Sequence, residues 1–384
     1  MTPLLALDSI EISNFRALRH LKLDKLAQVN LIVGKNNVGK TTLLEAIWVY
    51  AQGGSPKAII DILDNRFEAS QKRSPNYSIQ QQFDALQNIF SKQYLKNGTA
   101  ANENTPHLLT LSANKGKVSN EHSVEIFAGS FLLKNTESKK VGTIAVLPVY
   151  EPGNDPGVVI THDQIAAFGY TLRSSAFELV LNGHSSQQPP PPIEKAFLAR
   201  VQGLDVAQID DIWDELLLRD TSNDIVECLR IISPKIERIN LVRAPGQTHR
   251  QPFAKIMDID EPVTLKSLGE GLNRLFGVAV ILVQSKGGIA LIDEIDTGLH
   301  YSVIQKFWDF VFKSARKLNV QVFATTHSWD CIEGFGEALQ SDETFDGQLI
   351  SLRKSRKPED ETVHVVSYER REIAIATKEH IEVR

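Results

Sequence analysis

The sequence predicts an α/β fold, and three observations support this prediction. An apolar run at residues 29–33 leads into a glycine-rich loop, and apolar residues at helical spacing follow the loop. A second apolar run at 289–292 ends in two carboxylates. A third run at 320–324 ends in Thr-Thr-His, and a helical pattern separates it from the second. This succession of strands and helices is that of an α/β protein.

The elements of the amino-terminal part are predicted from their periodicity. Residues 9–12 alternate polar and apolar side chains, as in a half-buried strand, and residues 29–33 form a more apolar second strand. Between residues 53 and 120 the chain is polar and rich in Asn, Gln and Ser. The elements expected after the first helix are a helix at 79–90 and strands at 107–111, 123–133 and 141–149.

The middle of the chain changes character after a proline-rich segment. Residues 185–192, with their four consecutive prolines, predict an extended and exposed linker. Helical spacing then predicts three helices, at 193–201, 206–218 and 223–232. Ser222 is the expected amino-terminal cap of the third helix. A hairpin with strands at 238–242 and 253–259 around a Pro-Gly turn follows.

The carboxyl-terminal part again alternates helices with strands. Ser-Leu-Gly-Glu-Gly at 267–271 opens a helix that is expected to reach about residue 283. After the acidic strand comes a helix at 302–318, which precedes the last apolar run. The residues beyond it predict a hairpin with strands at 348–352 and 363–368.

Composition narrows the possible classes of function. The 384 residues are 42% hydrophobic and 23% charged, as in a globular protein of two domains or of one domain with a large insertion. The net charge of −5 does not favour nucleic-acid binding by the surface as a whole, so such binding would need a local basic patch. The densest basic cluster is at 353–357. A solvated charge run is favoured as its explanation over a nucleic-acid contact.

The same composition predicts a cytoplasmic protein. Cys228 and Cys331 are the only cysteines, and their spacing supports neither a disulfide framework nor a zinc site. Residues 1–7 are apolar but lack the basic flank of a secretion signal. The longest apolar runs, such as 278–283, fall far short of the ~20 residues needed to span a bilayer, so no membrane segment is expected.

The glycine-rich loop gives the clearest chemical signal. It matches the pattern G-x-x-x-x-G-K-[ST] between a strand and a helix, whose backbone N–H groups and dipole bind phosphate. Lys40 would reach the β- and γ-phosphate oxygens, and Thr41 would bind Mg²⁺. A glycine-rich turn that fits by chance is the alternative. The residues expected to contact the nucleotide are Gly34, Asn36, Asn37, Val38, Gly39, Lys40, Thr41 and Thr42.

Two polar ends of strands complete the predicted catalytic centre. Asp293 is expected to hold Mg²⁺ and Glu294 to act as the general base for the attacking water. His327 is expected to sense the γ-phosphate. Each has an ordinary alternative, a solvated acidic turn for the first two and a surface or satisfied core histidine for the third. Lys40, Glu294 and His327 are therefore the predicted catalytic residues.

A further anion site is predicted where the helix after residue 267 begins. Ser267, the N–H of Gly269 and the helix dipole would together favour an anion. A well-made helix cap is the alternative. The order of this motif, the acidic pair, Asp296 and then His327 favours the anion site.

Together these motifs resemble those of ABC-type ATPases of the RecF, SMC and overcoming-lysogenization-defect (OLD) group. The signature would be 267–271 and the D-loop 296–300. Asn14 and Arg16 lie in a segment similar to the group's first strand, which contacts the nucleotide. The resemblance implies a P-loop NTPase fold, an ABC-type ATPase head with a mixed sheet and a helical insertion, and the cofactors ATP and Mg²⁺.

The resemblance also implies how such heads assemble. Two copies would close around ATP, with Ser267, Gly269 and Asp296 of one acting on nucleotide held by the other. A homodimer or a higher oligomer is therefore expected. The predicted division is an amino-terminal lobe at 1–180, a linker with helical insertion and hairpin at 181–264, and a carboxyl-terminal lobe at 265–384.

Several subgroups fit less well. The proline segment and hairpins between the two nucleotide motifs leave no room for the long coiled coil of SMC proteins. Too few residues follow His327 for the TOPRIM nuclease of OLD proteins, so any nuclease is expected on another chain. The Ser-Leu-Gly-Glu-Gly signature and the large insertion differ from transporter ATPases.

The resulting expectation is an ATP-hydrolysing ATPase that dimerises around ATP and regulates a separate effector. The effector would be a protein such as a TOPRIM-like nuclease, in bacterial anti-phage defence. The alternative is a RecF-like DNA-binding ATPase of DNA repair, which would make nucleic acid a partner.

Overall fold

In the computed structural model, the described part of the chain forms sheets of six, seven and three strands with helices around them. The residues described are 5–66, 87–91, 107–115, 120–130, 156–163, 165–173, 176–179, 192–200, 204, 206–219, 221–243, 248–355 and 362–384. The strands are β1 (Ser9–Phe15), β2 (Leu18–Leu23), β3 (Val29–Val33), β4 (His107–Lys115), β5 (Asn120–Ser130), β6 (Pro156–His162), β7 (Ile165–Arg173), β8 (Ala176–Leu179), β9 (Ala196–Ala199), β10 (Ile236–Val242), β11 (Gln251–Ile256), β12 (Val263–Thr264), β13 (Ile289–Ile292), β14 (Gln321–Thr325), β15 (Gly347–Lys354) and β16 (Val363–Tyr368). The helices are α1 (Lys40–Ala51), α2 (Pro56–Asn65), α3 (Val206–Leu218), α4 (Ser222–Arg230), α5 (Glu270–Gln284), α6 (Ile304–Leu318), α7 (Trp329–Ser341) and α8 (Arg370–Lys378).

The six-stranded sheet has the order β16-β15-β3-β14-β13-β9. All its neighbours pair in parallel except β15 and β16, which are antiparallel, so the predicted mixed sheet is confirmed. Every residue of β3, β13 and β14 is buried. Parallel strands covered on both faces require such continuous apolar runs, which is why these strands could be recognised in the sequence.

One face of this sheet packs on α1, and the other face packs on α3–α7. Leu43 and Ile47 of α1 share a core with Leu291 of β13 and with Ile126 of the seven-stranded sheet. The seven-stranded sheet, of order β2-β1-β4-β5-β6-β7-β8, is antiparallel throughout. The helix after the glycine-rich loop therefore lies between two sheets.

Most predicted elements are confirmed. They are the strands β1, β3, β4, β5, β10, β11, β13, β14, β15 and β16 and the helices α1, α3, α4, α5 and α6. The cap predicted at Ser222 is wrong by one residue, because Thr221 precedes the first turn of α4 and makes no side-chain capping bond. Of the helix expected at 79–90 only a 3₁₀ turn, Gln87–Ile89, lies among the described residues. The expected strand at 141–149 and nearly all of the linker at 185–192 lie outside them.

The helix predicted at 193–201 is wrong. Residues Ala196–Ala199 form β9, which pairs in parallel with β13 in the register Ala199 to Ile292. A short apolar run has too few residues to reveal its period, so it is compatible with a helix or with a strand. Here an open edge of the sheet decides in favour of the strand. The division at 1–180, 181–264 and 265–384 stays a prediction. The strand β9, which falls in the second of these parts, belongs to the six-stranded sheet.

No helix in the described ranges is long and apolar enough to cross a membrane.

Candidate nucleotide-binding site

The glycine-rich loop connects β3 to α1 in a conformation that requires glycine at two positions. Gly34 has φ +149°, and a Cβ there would lie 2.5 Å from the carbonyl oxygen of Leu352. Gly39 has φ +111°, and its Cβ would lie 3.3 Å from Leu18 at the start of β2. Gly39 precedes α1 and makes no side-chain capping bond, so no side chain caps the first-turn N–H groups from this position. Such a terminus can bind an anion.

Lys40 folds back over the loop. Its Nζ donates to the carbonyl oxygens of Gly34 at 2.7 Å and Lys35 at 3.2 Å. Burial lowers the pKa of the Lys40 ammonium, and the carboxylates of Asp293 and Glu294 act in the opposite direction. An ammonium held over the loop carbonyls is placed to bind phosphate oxygens.

Asp293 follows β13 and is 3% exposed. Thr41 donates to its Oδ2 at 2.9 Å, and Thr325 at the end of β14 donates to its Oδ1 at 2.5 Å. Mg²⁺ prefers oxygen ligands and binds through one or two carboxylates, waters and substrate phosphate, so the Thr41–Asp293 pair fits this ion. Among the described residues no group of three or more His, Cys, Asp or Glu could hold a metal alone.

Glu294 adopts a left-handed backbone conformation with φ +46°. Its backbone N–H donates to the hydroxyl of Thr325 at 2.8 Å. One carboxylate oxygen lies 3.7 Å from Nδ1 of His327, and the side chains are 32% and 54% exposed respectively. Both groups are therefore accessible to a water molecule at the edge of the sheet.

The predicted D-loop is hydrogen-bonded to the segment that carries His327. Thr326 donates to Oδ1 of Asp296 at 2.7 Å, and the N–H of Ser328 donates to the same hydroxyl at 3.0 Å. The backbone of residues 326–328 is thus fixed beside the acidic pair.

Asn14 lies near the end of β1 and Arg16 in the turn that leads to β2, with φ of +62° and +50°. Nε of Arg16 lies 3.5 Å from the carboxylate of Glu45, which is 1% exposed on α1. Arg66 donates to both oxygens of Glu45, at 2.8 and 2.9 Å. Because this turn also abuts Gly39, it lies close to the phosphate loop. A contact of Asn14 or Arg16 with nucleotide stays a prediction.

The signature motif lies on the surface. Ser267 and Gly269 are exposed, and Ser267 closes a 3₁₀ turn, Leu265–Leu268, by donating to the carbonyl of Thr264 at 2.7 Å. The structure thus brings together Lys40, Thr41, Asp293, Glu294, Asp296 and His327, and it leaves Ser267 and Gly269 open to another molecule.

Sequence reasoning missed four residues at this site. Thr325 and Thr326 stand directly before His327, and a hydroxyl pair at the end of a buried strand was a usable signal. Arg200 follows β9 at the same edge, and it was missed because β9 was expected to be helical. Burial lowers the pKa of Arg200, and the carboxylates of Glu45, Asp61 and Asp293 act in the opposite direction. Nothing in the sequence singled out Arg274, whose guanidinium reaches Glu294.

Comparison with known families agrees with this geometry. Residues 6–147 match a family model described as "AAA ATPase domain". Residues 223–330 match one described as "AAA domain, putative AbiEii toxin, Type IV TA system". Both matched segments are thus similar to AAA-type ATPase domains. The first match contains the phosphate loop and the second the acidic pair, so the predicted phosphate-loop α/β ATPase is confirmed.

Individual relatives extend the comparison. The chain is 22% identical over 365 residues to an "ATP/GTP phosphatase" of Helicobacter pylori (strain ATCC 700392 / 26695), covering 87% of this chain and 88% of that protein. It is 43% identical over 49 residues to the DNA replication and repair protein RecF of Thioalkalivibrio sulfidiphilus (strain HL-EbGR7), which is 13% of this chain and 14% of that one. A solved SMC head bound to the C-winged helix domain of ScpA has a TM-score of 0.49 at 15% identity, covering 94% and 97% of the two chains.

Proposed function

We propose that the protein hydrolyses ATP with Mg²⁺ where the parallel strands of the six-stranded sheet have their carboxyl ends. The observation that carries this proposal is a hydrogen-bonded network in which Asp293 bonds Thr41 and, through Thr325, the backbone of Glu294. Lys40 directly precedes Thr41 and bonds the same loop. The AAA-type matches and the ATP/GTP phosphatase relative support the same reaction.

Each of these residues would have a defined role. The loop N–H groups and Lys40 bind the phosphates, and Thr41 and Asp293 hold Mg²⁺, which would neutralise phosphate charge. Glu294 accepts a proton from water as the water oxygen bonds to the γ-phosphorus and ADP leaves. His327, beside Glu294, donates to the γ-phosphate.

The substitution Glu294→Gln tests this assignment. Glutamine keeps the shape of the side chain but cannot take the proton, so hydrolysis should fall by about 10²- to 10⁴-fold while ATP still binds. Phosphate release and titration with a fluorescent ATP analogue measure the two quantities. The matched control is Glu337→Gln on the exposed surface of α7, which should leave both unchanged. A Glu294→Gln protein that hydrolyses ATP at the parental rate would overturn the assignment.

The proposal includes a dimer in which the exposed signature of one copy completes the site of the other. The exposure of Ser267 and Gly269 supports this arrangement. ATP should therefore shift the Glu294→Gln protein from monomer to dimer in light scattering coupled to size-exclusion chromatography.

We further propose that the ATPase regulates a separate effector, such as a TOPRIM-like nuclease, in anti-phage defence. The resemblance to compact members of the group supports this role, as does the description of the 223–330 family model, which names a toxin. Co-expression with the product of the neighbouring gene tests it. ATP-dependent co-purification and a change in that protein's activity are expected, and a partner that never binds would contradict the role.

RecF-like DNA binding is the second candidate, because a short segment matches RecF. It predicts that the purified protein retards duplex DNA in an ATP-dependent gel shift, with affinity that falls steeply with salt. Absence of a shift would favour the effector-regulating role.

A further inference from the structure

Arg274 is a half-buried charge with a single described hydrogen bond. It lies on the second turn of α5, and its Nη2 donates to the backbone carbonyl of Glu294 at 3.2 Å. Its Nε is buried and has no hydrogen-bond partner among the described residues. Burial lowers the pKa of this guanidinium, and Asp296 is the carboxylate that acts against the shift. A buried donor without a partner is costly, so stability alone is a poor explanation of the position of Arg274.

The group that Arg274 contacts is itself in an unfavourable conformation. At φ +46° Glu294 occupies the left-handed region, which L-residues with a side chain rarely adopt. Its backbone is held from opposite sides, because Thr325 accepts from its N–H and Arg274 donates to its carbonyl. The same carbonyl accepts from the N–H of Thr297 at 3.1 Å, so Arg274 is the side-chain donor of this pair. Such strained residues persist only where surrounding groups fix them.

We propose that Arg274 is a positioning residue that holds Glu294 in the left-handed conformation and thereby aims its carboxylate. The inference rests on the proposed function, in which Glu294 is the general base. Arg274 also lies close in sequence to the exposed signature, on the helix that the signature opens. A shift at the start of α5 is therefore transmitted to Glu294 through one guanidinium.

The substitution Arg274→Met tests this role, because methionine fills a similar volume without donating. We expect kcat to fall about 10- to 100-fold, since a small misplacement of a reacting group has effects of this size. KM for ATP should stay within about twofold, because the phosphate loop is untouched. The thermal midpoint should not fall, because the substitution removes a buried donor that has no partner.

Two further variants separate positioning from a structural effect. Arg274→Lys keeps a cationic donor, so it should recover a large part of kcat. Arg219→Met replaces an arginine that is 53% exposed beyond α3 and should change nothing. If Arg274→Met does not fold, Arg274→Lys decides the question. An Arg274→Lys protein that folds but does not hydrolyse ATP would contradict the role.

The outcomes also distinguish this inference from the proposed function. Parental kcat in Arg274→Met, with Glu294→Gln inactive, overturns only the positioning role. A raised KM or a lowered thermal midpoint that accounts for the loss of rate would make Arg274 a structural residue. Parental hydrolysis in Glu294→Gln would instead remove the general base on which both proposals rest.

Discussion

Thr325 occupies a central position among the residues of the site, because its one hydroxyl serves both acidic residues. It donates to the carboxylate of Asp293 and accepts from the N–H of Glu294. The side chain is fully buried, so water cannot replace either bond. The hydroxyl thus fixes the metal-binding and the base-bearing residue relative to each other.

Replacing Thr325 with valine should weaken both stability and hydrolysis. Valine keeps the shape but leaves a buried carboxylate oxygen and a buried N–H each with one bond fewer. We expect the free energy of unfolding to fall by about 1–3 kcal/mol and kcat to fall with it. Urea denaturation and phosphate release measure the two effects. Thr325→Ser retains the hydroxyl and is the control, and a loss in Thr325→Ser as large as that in Thr325→Val would contradict the role of the hydroxyl.

At the residue scale the sequence predicted groups that share a motif and missed groups that meet through the fold. Lys40, Thr41 and Asp293 were predictable because the strand before each motif and the motif's spacing place them. Thr325 contacts a residue 32 positions away, and Arg274 contacts one 20 positions away. Such contacts depend on strand register and helix packing, which no local pattern encodes.

Among the elements, β9 depends on a close approach of two backbone segments. Gly288 precedes β13, and a Cβ at this position would lie 2.0 Å from the carbonyl oxygen of Lys195, which precedes β9. The same carbonyl accepts from the N–H of Ile289 at 2.8 Å. A side chain at Gly288 would therefore push the edge strand away from the sheet.

Gly288→Ala should lower the free energy of unfolding by about 1–3 kcal/mol, the usual cost of overpacking. Thermal and urea unfolding measure this change. The control is Gly277→Ala on α5, where a Cβ would meet nothing within 4 Å. Alanine there should stabilise the helix by up to about 1 kcal/mol, because glycine is the weaker helix former. Changes of the same sign in both variants would contradict the packing argument.

Elements were predicted well where the apolar run was long or continuous and poorly where packing decides. The helix α7 was missed, and it contains Gly334 and Gly336, which disfavour a helix. Both glycines allow close packing, since a Cβ would lie 2.5 Å from Ile304 at Gly334 and 3.1 Å from Thr377 at Gly336. Tertiary contacts there override the local preference.

The whole molecule assembles its site from both ends of the chain. The order of the motifs predicted that both ends would contribute, while the division at 1–180, 181–264 and 265–384 stays a prediction. It could not predict that a seven-stranded antiparallel sheet would cover α1, because much of that sheet comes from polar segments with a weak period. The contact between this sheet and α1 is made by apolar faces that come together only when the chain folds.

The proposed dimer predicts complementation between two inactive variants. Lys40→Ala disrupts the loop side of a site, and Ser267→Arg disrupts the exposed signature side. Mixed dimers would contain one site with both sides intact, so an equimolar mixture should recover about a quarter of parental activity if assortment is random. Steady-state hydrolysis of the mixture measures this.

The control mixture pairs Lys40→Ala with Glu294→Gln. Both changes lie on the same side of the proposed composite site, so neither site of a mixed dimer is intact and no recovery is expected. Recovery in this mixture, or none in the first, would contradict action between two copies.

The position of β3 between β14 and β15 also affects how the protein is made. Until residues 321–354 emerge from the ribosome, β3 has neither of its neighbours. The N–H of Leu7 likewise donates to the side chain of Gln321, which is synthesised 314 positions later. Such distant pairings fold slowly, and an unpaired apolar strand is prone to aggregation. A nascent chain therefore cannot bind nucleotide early, and overexpression should depend strongly on chaperones and on temperature.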